Sequence, residues 1–175
     1  MSWSDPPERL PERDAAIAAM LAHVPFDGWT ARALTLGVAD AGLPADEAAL
    51  LFPLGAADMV AAYCDLADRW MAADAESLAE TRASARIRAL ILARLDRQAP
   101  HREAVRRAVA VLALPGNAGT AAGCLARTVD AIWRLAGDRT ADASWYSKRA
   151  ILAGVYSATL LFWLNDCSDG AAATR

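Results

Sequence analysis

Few residues of this chain are placed to do covalent or proton-transfer chemistry. His23 and His101 are isolated, and His, Asp and Glu nowhere recur at the spacing of a metal site. No glycine-flanked serine, Walker-type phosphate loop or dinucleotide-binding glycine pattern is present. Asp65 and Asp68 stand at i, i+3, close enough on a helix to form a carboxylate pair. With no histidine or third ligand beside them, they read as a solvated helix face. A reactive thiolate needs a basic neighbour to lower its pKa. Cys64 precedes Asp65, and Cys124 and Cys167 have no adjacent His or Lys. These residue types point away from catalysis, from a metal site and from a bound cofactor.

They point instead to recognition. The stretch from Asp138 to Asp166 carries a cap-like Asp142, then Trp145-Tyr146, then Lys148-Arg149. Trp, Tyr and Arg are favoured interface anchors. The plainer alternative is that these aromatics only pack. From Ala150 to Leu164 there is no charge. Those 15 residues fall short of the roughly 20 that span a bilayer. A helix apolar on every face is usually enclosed by others. This one is therefore expected at the centre of the fold, with its first turn showing as a docking face.

The elements that must position this segment all read as helices. The first is expected over Glu12–Val24, with Ile17, Met20, Leu21 and Val24 on one face. Thr30 is a good N-cap for the second, which stops near Gly42. Pro44 opens a short third helix and Pro53 ends it. The fourth is expected over Ala56–Leu78, the fifth over Ala83–Gln98, and the sixth over Arg102–Leu114. Asn117 can cap a seventh that runs to Leu135, and the Asp138–Asp166 stretch is the eighth. β-Branched alternation is absent, so the fold class is all-α. The expected organisation is a flexible N-terminus over 1–11, a helix-turn-helix-like unit over 12–54, a helical ligand-binding domain over 55–166 and a flexible tail over 167–175.

Composition fits a globular chain with a sizeable core: 175 residues, 55% hydrophobic. The net charge of −3 hides an asymmetry. Residues 1–80 hold 4 Arg against 14 Asp and Glu, and residues 81–175 hold 14 Arg and Lys against 7 Asp and Glu. Such a split implies a polarised surface or two halves that face each other. The three cysteines, far apart, read as buried thiols of a reducing compartment. The first residues lack the apolar core of a secretory signal, and their acids disfavour a mitochondrial leader. The expected location is the cytoplasm, with peripheral contact at the inner membrane face. Arg82, Arg86, Arg88, Arg94, Arg97, Arg102, Arg106 and Arg107 could hold anionic headgroups. Ion pairing or plain solvation explains them more simply.

The segment from Gly28 to Val60 resembles the amino-terminal domain of TetR-type repressors, with Phe52-Pro53 and the long helix after it in the matching places. The chemistry does not suit DNA. A recognition helix lies against phosphates and needs cations. The third helix instead offers Asp46 and Glu47, and between Asp27 and Asp58 the sole basic residue is Arg32. These helices read as a structural cap, and no nucleic-acid partner is expected.

A set of short patterns resembles the coenzyme Q biosynthesis protein nine family. They are Gly28-Trp29-Thr30, Ala41-Gly42-Leu43, Leu51-Phe52-Pro53, Gly55 with Asp58, and Leu112-Ala113-Leu114-Pro115 with Asn117. Asp130 with Trp133 follows, then Ala136-Gly137-Asp138, Asp142, Trp145-Tyr146 and Lys148-Arg149, and finally Leu152, Tyr156, Thr159 and Trp163. The resemblance implies a TetR-like fold and a non-catalytic accessory protein that binds isoprenoid quinone-like lipids. Such proteins present the ubiquinone precursor to a membrane-associated di-iron hydroxylase acting on the quinone ring. Carried over by position, the hydroxylase-docking patch is Trp145, Tyr146 and Arg149, with Asp142. The family continues beyond this region with a further helix and an amphipathic membrane-binding helix, which residues 1–175 do not include.

Candidates for the lipid site come from the apolar excess of the later helices: Tyr63, Trp70, Ile91, Leu95, Leu112, Val129, Trp133, Leu152, Tyr156 and Trp163. Pocket lining and ordinary core share this composition, so both readings stay open. An isoprenoid quinone or a phospholipid would be the ligand. TetR-like proteins commonly pair through their last helices, so a homodimer is expected. The competing function is a TetR-type ligand-responsive transcriptional regulator, and a third is a ligand-free adaptor.

Overall fold

A computed structural model of the chain describes residues 5–80, 82–138 and 144–175. Among the described residues there are nine α-helices and no strand: α1 (Pro11–Met20), α2 (Val24–Asp27), α3 (Ala31–Asp40), α4 (Ala48–Leu51), α5 (Ala56–Asp74), α6 (Ala83–Gln98), α7 (Arg102–Leu112), α8 (Ala118–Leu135) and α9 (Ser144–Asn165). Short 3-10 turns lead into α4, α7 and α8 and follow α5 and α9.

The chain divides into two compact units. The first comprises Met1–Leu66 and Pro100–Cys124, the second Ala67–Ala99 and Leu125–Arg175. This differs from the expected division at residues 54 and 55. The reason lies in α7, which packs against α2. The indole of Trp29 donates to the carbonyl of Ala104 at 3.0 Å, so α7 belongs with the amino-terminal helices.

Local signals set most helix ends. Thr30 caps α3 by accepting from the amide of Ala33. Gly42 takes a positive φ of 72°, and the amide of Leu43 then donates back to Val38, closing the helix end. The expected first helix is instead two, α1 and α2, separated by a turn at Leu21–His23. The fourth expected helix ends at Asp74 rather than Leu78, in a 3-10 turn over Ala75–Ser77. Beside that turn, Arg86 donates to the carbonyls of Ala75, Leu78, Glu80 and Leu135, and so satisfies acceptors that the helix ends leave open. In place of a helix cap, Asn117 sends its amide to the carbonyl of Val111 at 2.8 Å.

In the first unit α1 and α3 cross closely at Gly37. A Cβ there would come within 2.7 Å of the Met20 Cβ and 2.8 Å of the Ala16 carbonyl oxygen. Around the crossing lie Ile17, Met20, Leu34 and Val38, all buried. Arg13 is buried too. Its guanidinium donates to the Leu51 carbonyl and to Asp58, and covers the Phe52 ring at 4.2 Å. Residues 1–11 were expected to be flexible, yet Arg9 makes a two-pronged pair with Asp65 at 2.7 and 3.0 Å.

Three further expectations differ from what the structure shows, at α9, at the Asp65 and Asp68 carboxylates and at the tail. First, α9 is not enclosed. It buries Leu152, Tyr156, Trp163 and Leu164, while Ile151, Val155, Leu161 and Phe162 are each at least half exposed. Its open face runs through Ala150, Ile151, Gly154, Val155, Ala158 and Leu161, a helical repeat without charge. Second, Asp65 and Asp68 are not a solvated face: both are buried, each against an arginine, Arg9 and Arg94. Third, the tail expected to be flexible makes side-chain contacts of its own. Asp166 accepts from the amide and hydroxyl of both Ser168 and Thr174, and Arg175 pairs with Asp96 at 2.6 Å. The Ser168 and Thr174 hydroxyls hold the Asp166 carboxyl down at a pKa of about 2. Of the cysteines, Cys124 is buried, Cys64 half-buried and Cys167 exposed, so the expectation of buried thiols fails at Cys167.

Candidate docking site at the start of α9

The end of α8 and the first turns of α9 are joined by a knot of charges inside the second unit. Arg149 donates through Nε and Nη2 to Asp130 at 3.0 and 2.8 Å. Its Nη1 stands 3.7 Å from Asp138, and this nitrogen is buried without a hydrogen bond among the described residues. Lys148 donates to Asp138 at 3.2 Å. Asp130 also pairs with Arg134, one turn along α8, at 2.9 Å. The indole of Trp133 donates to the carbonyl of Lys148 at 3.3 Å, while the Lys148 ammonium lies 5.6 Å from the Trp133 ring centre.

The aromatic pair sits on this knot. The Arg149 guanidinium covers Trp145 at 3.9 Å from the ring centre, a cation–π contact. Tyr146 meets Trp145 edge to face, with centroids 4.8 Å apart. Tyr146 is 74% exposed, whereas the Arg149 side chain is only 12% exposed. The four candidate docking residues thus separate. Tyr146 projects into solvent, Trp145 is half-buried beside it, and Arg149 lies behind both as their support. Asp142 lies outside the described residues.

Sequence reasoning assigned no role to Asp130 or Asp138, although both stand in the patterns quoted above. The available signal was Arg149 itself. An arginine entering a charge-free helix is rarely buried without a carboxylate partner.

The ten lipid candidates fall in both units. Ile91, Leu95, Val129, Leu152, Tyr156 and Trp163 are buried in the second. Trp70 and Trp133 are half-buried there, with Arg97 over the Trp70 ring at 5.5 Å. Tyr63 belongs to the first unit, buried with its ring 5.4 Å from that of Trp29, and Leu112 is half-buried in the same unit. None of the ten lines the cleft of about 580 Å³ that opens in the first unit.

Among the buried candidates of the second unit runs a polar network. Arg94 donates to Asp68 at 3.0 Å and to Gln98 at 3.1 Å, Thr128 donates to Asp68 at 2.9 Å, and Arg94 lies 5.6 Å from the Tyr156 ring centre. All four polar side chains are buried. The arginine-rich stretch is largely occupied by such contacts. Arg86 caps helix ends, Arg94 pairs with Asp68, Arg97 with Asp74, and Arg106 and Arg107 with Glu103.

Comparison with known proteins gives this geometry its context. Residues 118–175 match the COQ9 family. The chain is 32% identical over 161 residues to the mitochondrial ubiquinone biosynthesis protein COQ9 of Rattus norvegicus, covering 87% of this chain and 51% of that protein. The Xenopus tropicalis protein of the same name is 32% identical over 170 residues, covering 92% of this chain and 53% of its own length. The Schizosaccharomyces pombe relative is 32% identical over 158 residues, covering 88% and 62%. The chain spans about half the length of the two animal relatives. Among solved structures, a TetR transcriptional regulator from Nitrosomonas europaea superposes with a TM-score of 0.71 at 25% identity, covering 94% of this chain and 92% of that one. The fold is all-α and TetR-like, and the likeness to the coenzyme Q biosynthesis protein nine family extends over most of the chain.

Proposed function

Taking as premise that this chain is a relative of the COQ9 ubiquinone biosynthesis proteins, we propose that it is a non-catalytic, lipid-binding accessory protein of ubiquinone synthesis. The names of its relatives support a role in that process. In this reading the second unit receives an isoprenoid quinone intermediate. The start of α9 then docks a membrane-associated di-iron hydroxylase that acts on the quinone ring and supplies all of the chemistry. Contact with the membrane is peripheral in this proposal, and no single described helix is long and apolar enough to cross a bilayer.

The observation that carries the docking half is Tyr146. A large aromatic side chain is held out in solvent on a helical turn that Arg149, Asp130 and Asp138 lock in place. Such pre-organisation lowers the ordering cost of binding. Apolar bulk on unit-two helices supports the lipid half.

The test is mass spectrometry of organic extracts from the folded, purified protein, paired with pull-down of the hydroxylase. Isoprenoid quinones or their precursors retained near stoichiometry support the carrier. Folded protein that retains none, and Tyr146→Ala that captures hydroxylase as well as the parent chain, overturn the two halves separately.

A second reading, a ligand-responsive transcriptional regulator, is favoured by the Nitrosomonas europaea regulator's close fold. The charges of α3 and α4 oppose it. Asp46 and Glu47 precede α4, and Arg32 is paired with Asp27 at 3.1 Å, so the face that would meet phosphate carries no unengaged cation among residues 27–58. A gel shift abolished by added quinone would establish this reading in place of the first.

A further inference from the structure

The helix-turn-helix-like part of the first unit carries a cleft that the proposed function does not use. It opens between α3, α4 and the start of α5, with a volume of about 580 Å³. Its floor is Trp29, Leu34, Phe52 and Met59, all buried. Its walls are small residues, chiefly Ala31, Ala48, Ala49 and Ala56. The hydroxyls at its edge are already engaged. Thr30 donates to the Asp27 carbonyl and accepts from the Ala33 amide, and Thr35 donates to the Ala31 carbonyl. An incoming group therefore meets a lining in which apolar atoms are the larger part and polar atoms, Asp46 among them, the rest.

The floor is rigidly held. Trp29 is fixed by its bond to Ala104 and by the Tyr63 ring, and Phe52 by the Arg13 guanidinium above it. Beside the cleft in sequence, Leu50 and Leu54 stand 78% and 81% exposed. Neither lines the cleft, but each leaves a large apolar side chain in solvent on the segment that carries its lining residues Ala48, Ala49, Phe52 and Pro53. The rim is acidic. Asp46 lines the cleft and Glu47 follows it in sequence, while Arg32 is paired with Asp27 and Arg13, over the Phe52 ring, with Asp58.

We propose that this cleft docks a basic amphipathic helix of a partner protein. A large apolar side chain of that helix enters the cleft between Ala31 and Ala49, and its Lys or Arg residues face Asp46 and Glu47. Helix-in-groove recognition needs this pairing of apolar groove and complementary rim charge. The same acidic rim repels nucleic acid, anionic lipid surfaces and fatty-acid carboxylates. A neutral lipid is served poorly as well, because small-molecule sites enclose about 70–90% of their ligand and this cleft is open along one side. The proposal is independent of the α9 site, so its failure leaves the proposed function standing.

The test uses the full chain, isotope-labelled, titrated with a synthetic Leu/Lys amphipathic peptide of about 14 residues, roughly 21 Å of helix. A matched Leu/Glu peptide is the charge control. The expected result is saturable amide shifts centred on Trp29, Leu34, Ala48, Phe52 and Met59, with the Leu/Glu peptide binding at least about tenfold more weakly. Ala49→Trp, which fills the cleft, and Asp46→Lys, which reverses the rim, should each weaken the Leu/Lys peptide by about tenfold or more. Circular dichroism of each variant confirms that it is folded. Shifts scattered over the acidic surface, or unchanged binding by folded Ala49→Trp, overturn the proposal. So does farnesol shifting the same amides where the Leu/Lys peptide shifts none, since the cleft would then serve a small neutral ligand.

Discussion

The guanidinium of Arg149 lies 3.9 Å from the ring centre of Trp145 while two of its nitrogens are bonded to Asp130. One side chain thus fixes both the α8–α9 junction and the aromatic that borders Tyr146. The two residues must differ in what they control. Tyr146→Ala should change stability by no more than about 0.5 kcal/mol, as an exposed substitution, while weakening hydroxylase capture. Arg149→Ala should cost about 1.5–3 kcal/mol, the range for charge-assisted hydrogen bonds. Denaturant midpoints of the two variants measure this contrast, and equal midpoints would refute the division of roles.

The Arg94–Asp68 pair lies in the core of the second unit, with both side chains at most one-tenth exposed. Arg94→Met alone leaves Asp68 with Thr128 and no cation from Arg94, and should destabilise by about 3–5 kcal/mol. Replacing both, Arg94→Met with Asp68→Leu, should recover much of that loss, because a packed apolar pair avoids the desolvation cost of two charges. A double-mutant cycle in urea decides it, and a double variant no more stable than the single one would contradict the argument.

Gly37→Ala tests the α1–α3 crossing. Alanine favours a helix by about 1 kcal/mol over glycine. Here its Cβ would meet the Met20 Cβ and the Ala16 carbonyl at under 3 Å. Overpacking of this kind costs about 1–3 kcal/mol, so the net effect should be a loss or at best no gain. A raised melting temperature would show that the two helices can separate freely.

Asp166 makes the tail sensitive to acid in a defined window. Its carboxyl is held at a pKa of about 2 in the fold, against an ordinary 3.8. A carboxylate with a lowered pKa contributes its stabilisation in full above the unfolded value, and loses it as the pH falls through the folded one. The Ser168 and Thr174 amide resonances should therefore hold their positions down to near pH 4 and move with a midpoint close to 2. In Asp166→Asn the two amides should exchange faster with solvent at neutral pH. A midpoint near 4 would mean that the tail is not fastened by this group.

The open face of α9 bears on the homodimer expected from the sequence, in which two chains pair through their last helices. Ala150, Gly154 and Ala158 recur at every fourth residue, with Ile151 and Val155 beside them, so a second helix could approach closely without bringing like charges together. Light scattering at micromolar concentration should give twice the chain mass, and Ala158→Arg should give the monomer. A monomer mass for the parent chain would dismiss the pairing.

Much of the helix plan is readable from local chemistry. Thr30, Gly42, Pro44 and Pro100 act on backbone groups only a few residues away, so their effect does not depend on the rest of the chain. α6 accordingly runs over the expected Ala83–Gln98. The break between α1 and α2 was not readable, since Leu21 to Val24 carry no glycine and proline appears only at Pro25, after the break.

Partnership between distant charges was the least readable feature. Asp65 and Asp68 look like a solvated pair because the arginines that neutralise them are 56 and 26 residues away. Arg149 looks like an exposed anchor because Asp130, 19 residues earlier, is not visible as its partner until α8 and α9 are laid together.

The sequence by itself determined that this chain is helical, where most of its helices stop, and which residues at the start of α9 are of a type to bind another protein. Those properties rest on short-range backbone capping and on residue chemistry. Only the tertiary structure decided which faces are covered. The charge-free run from Ala150 to Leu164 is apolar on all sides, but burial requires a neighbour on each side. Within the described residues α9 has neighbours for Leu152, Tyr156 and Trp163 and leaves Ile151, Leu161 and Phe162 open. The same limit separated Tyr146 from Arg149: residue type made both candidates, and the packing of two helices placed one outside and the other within.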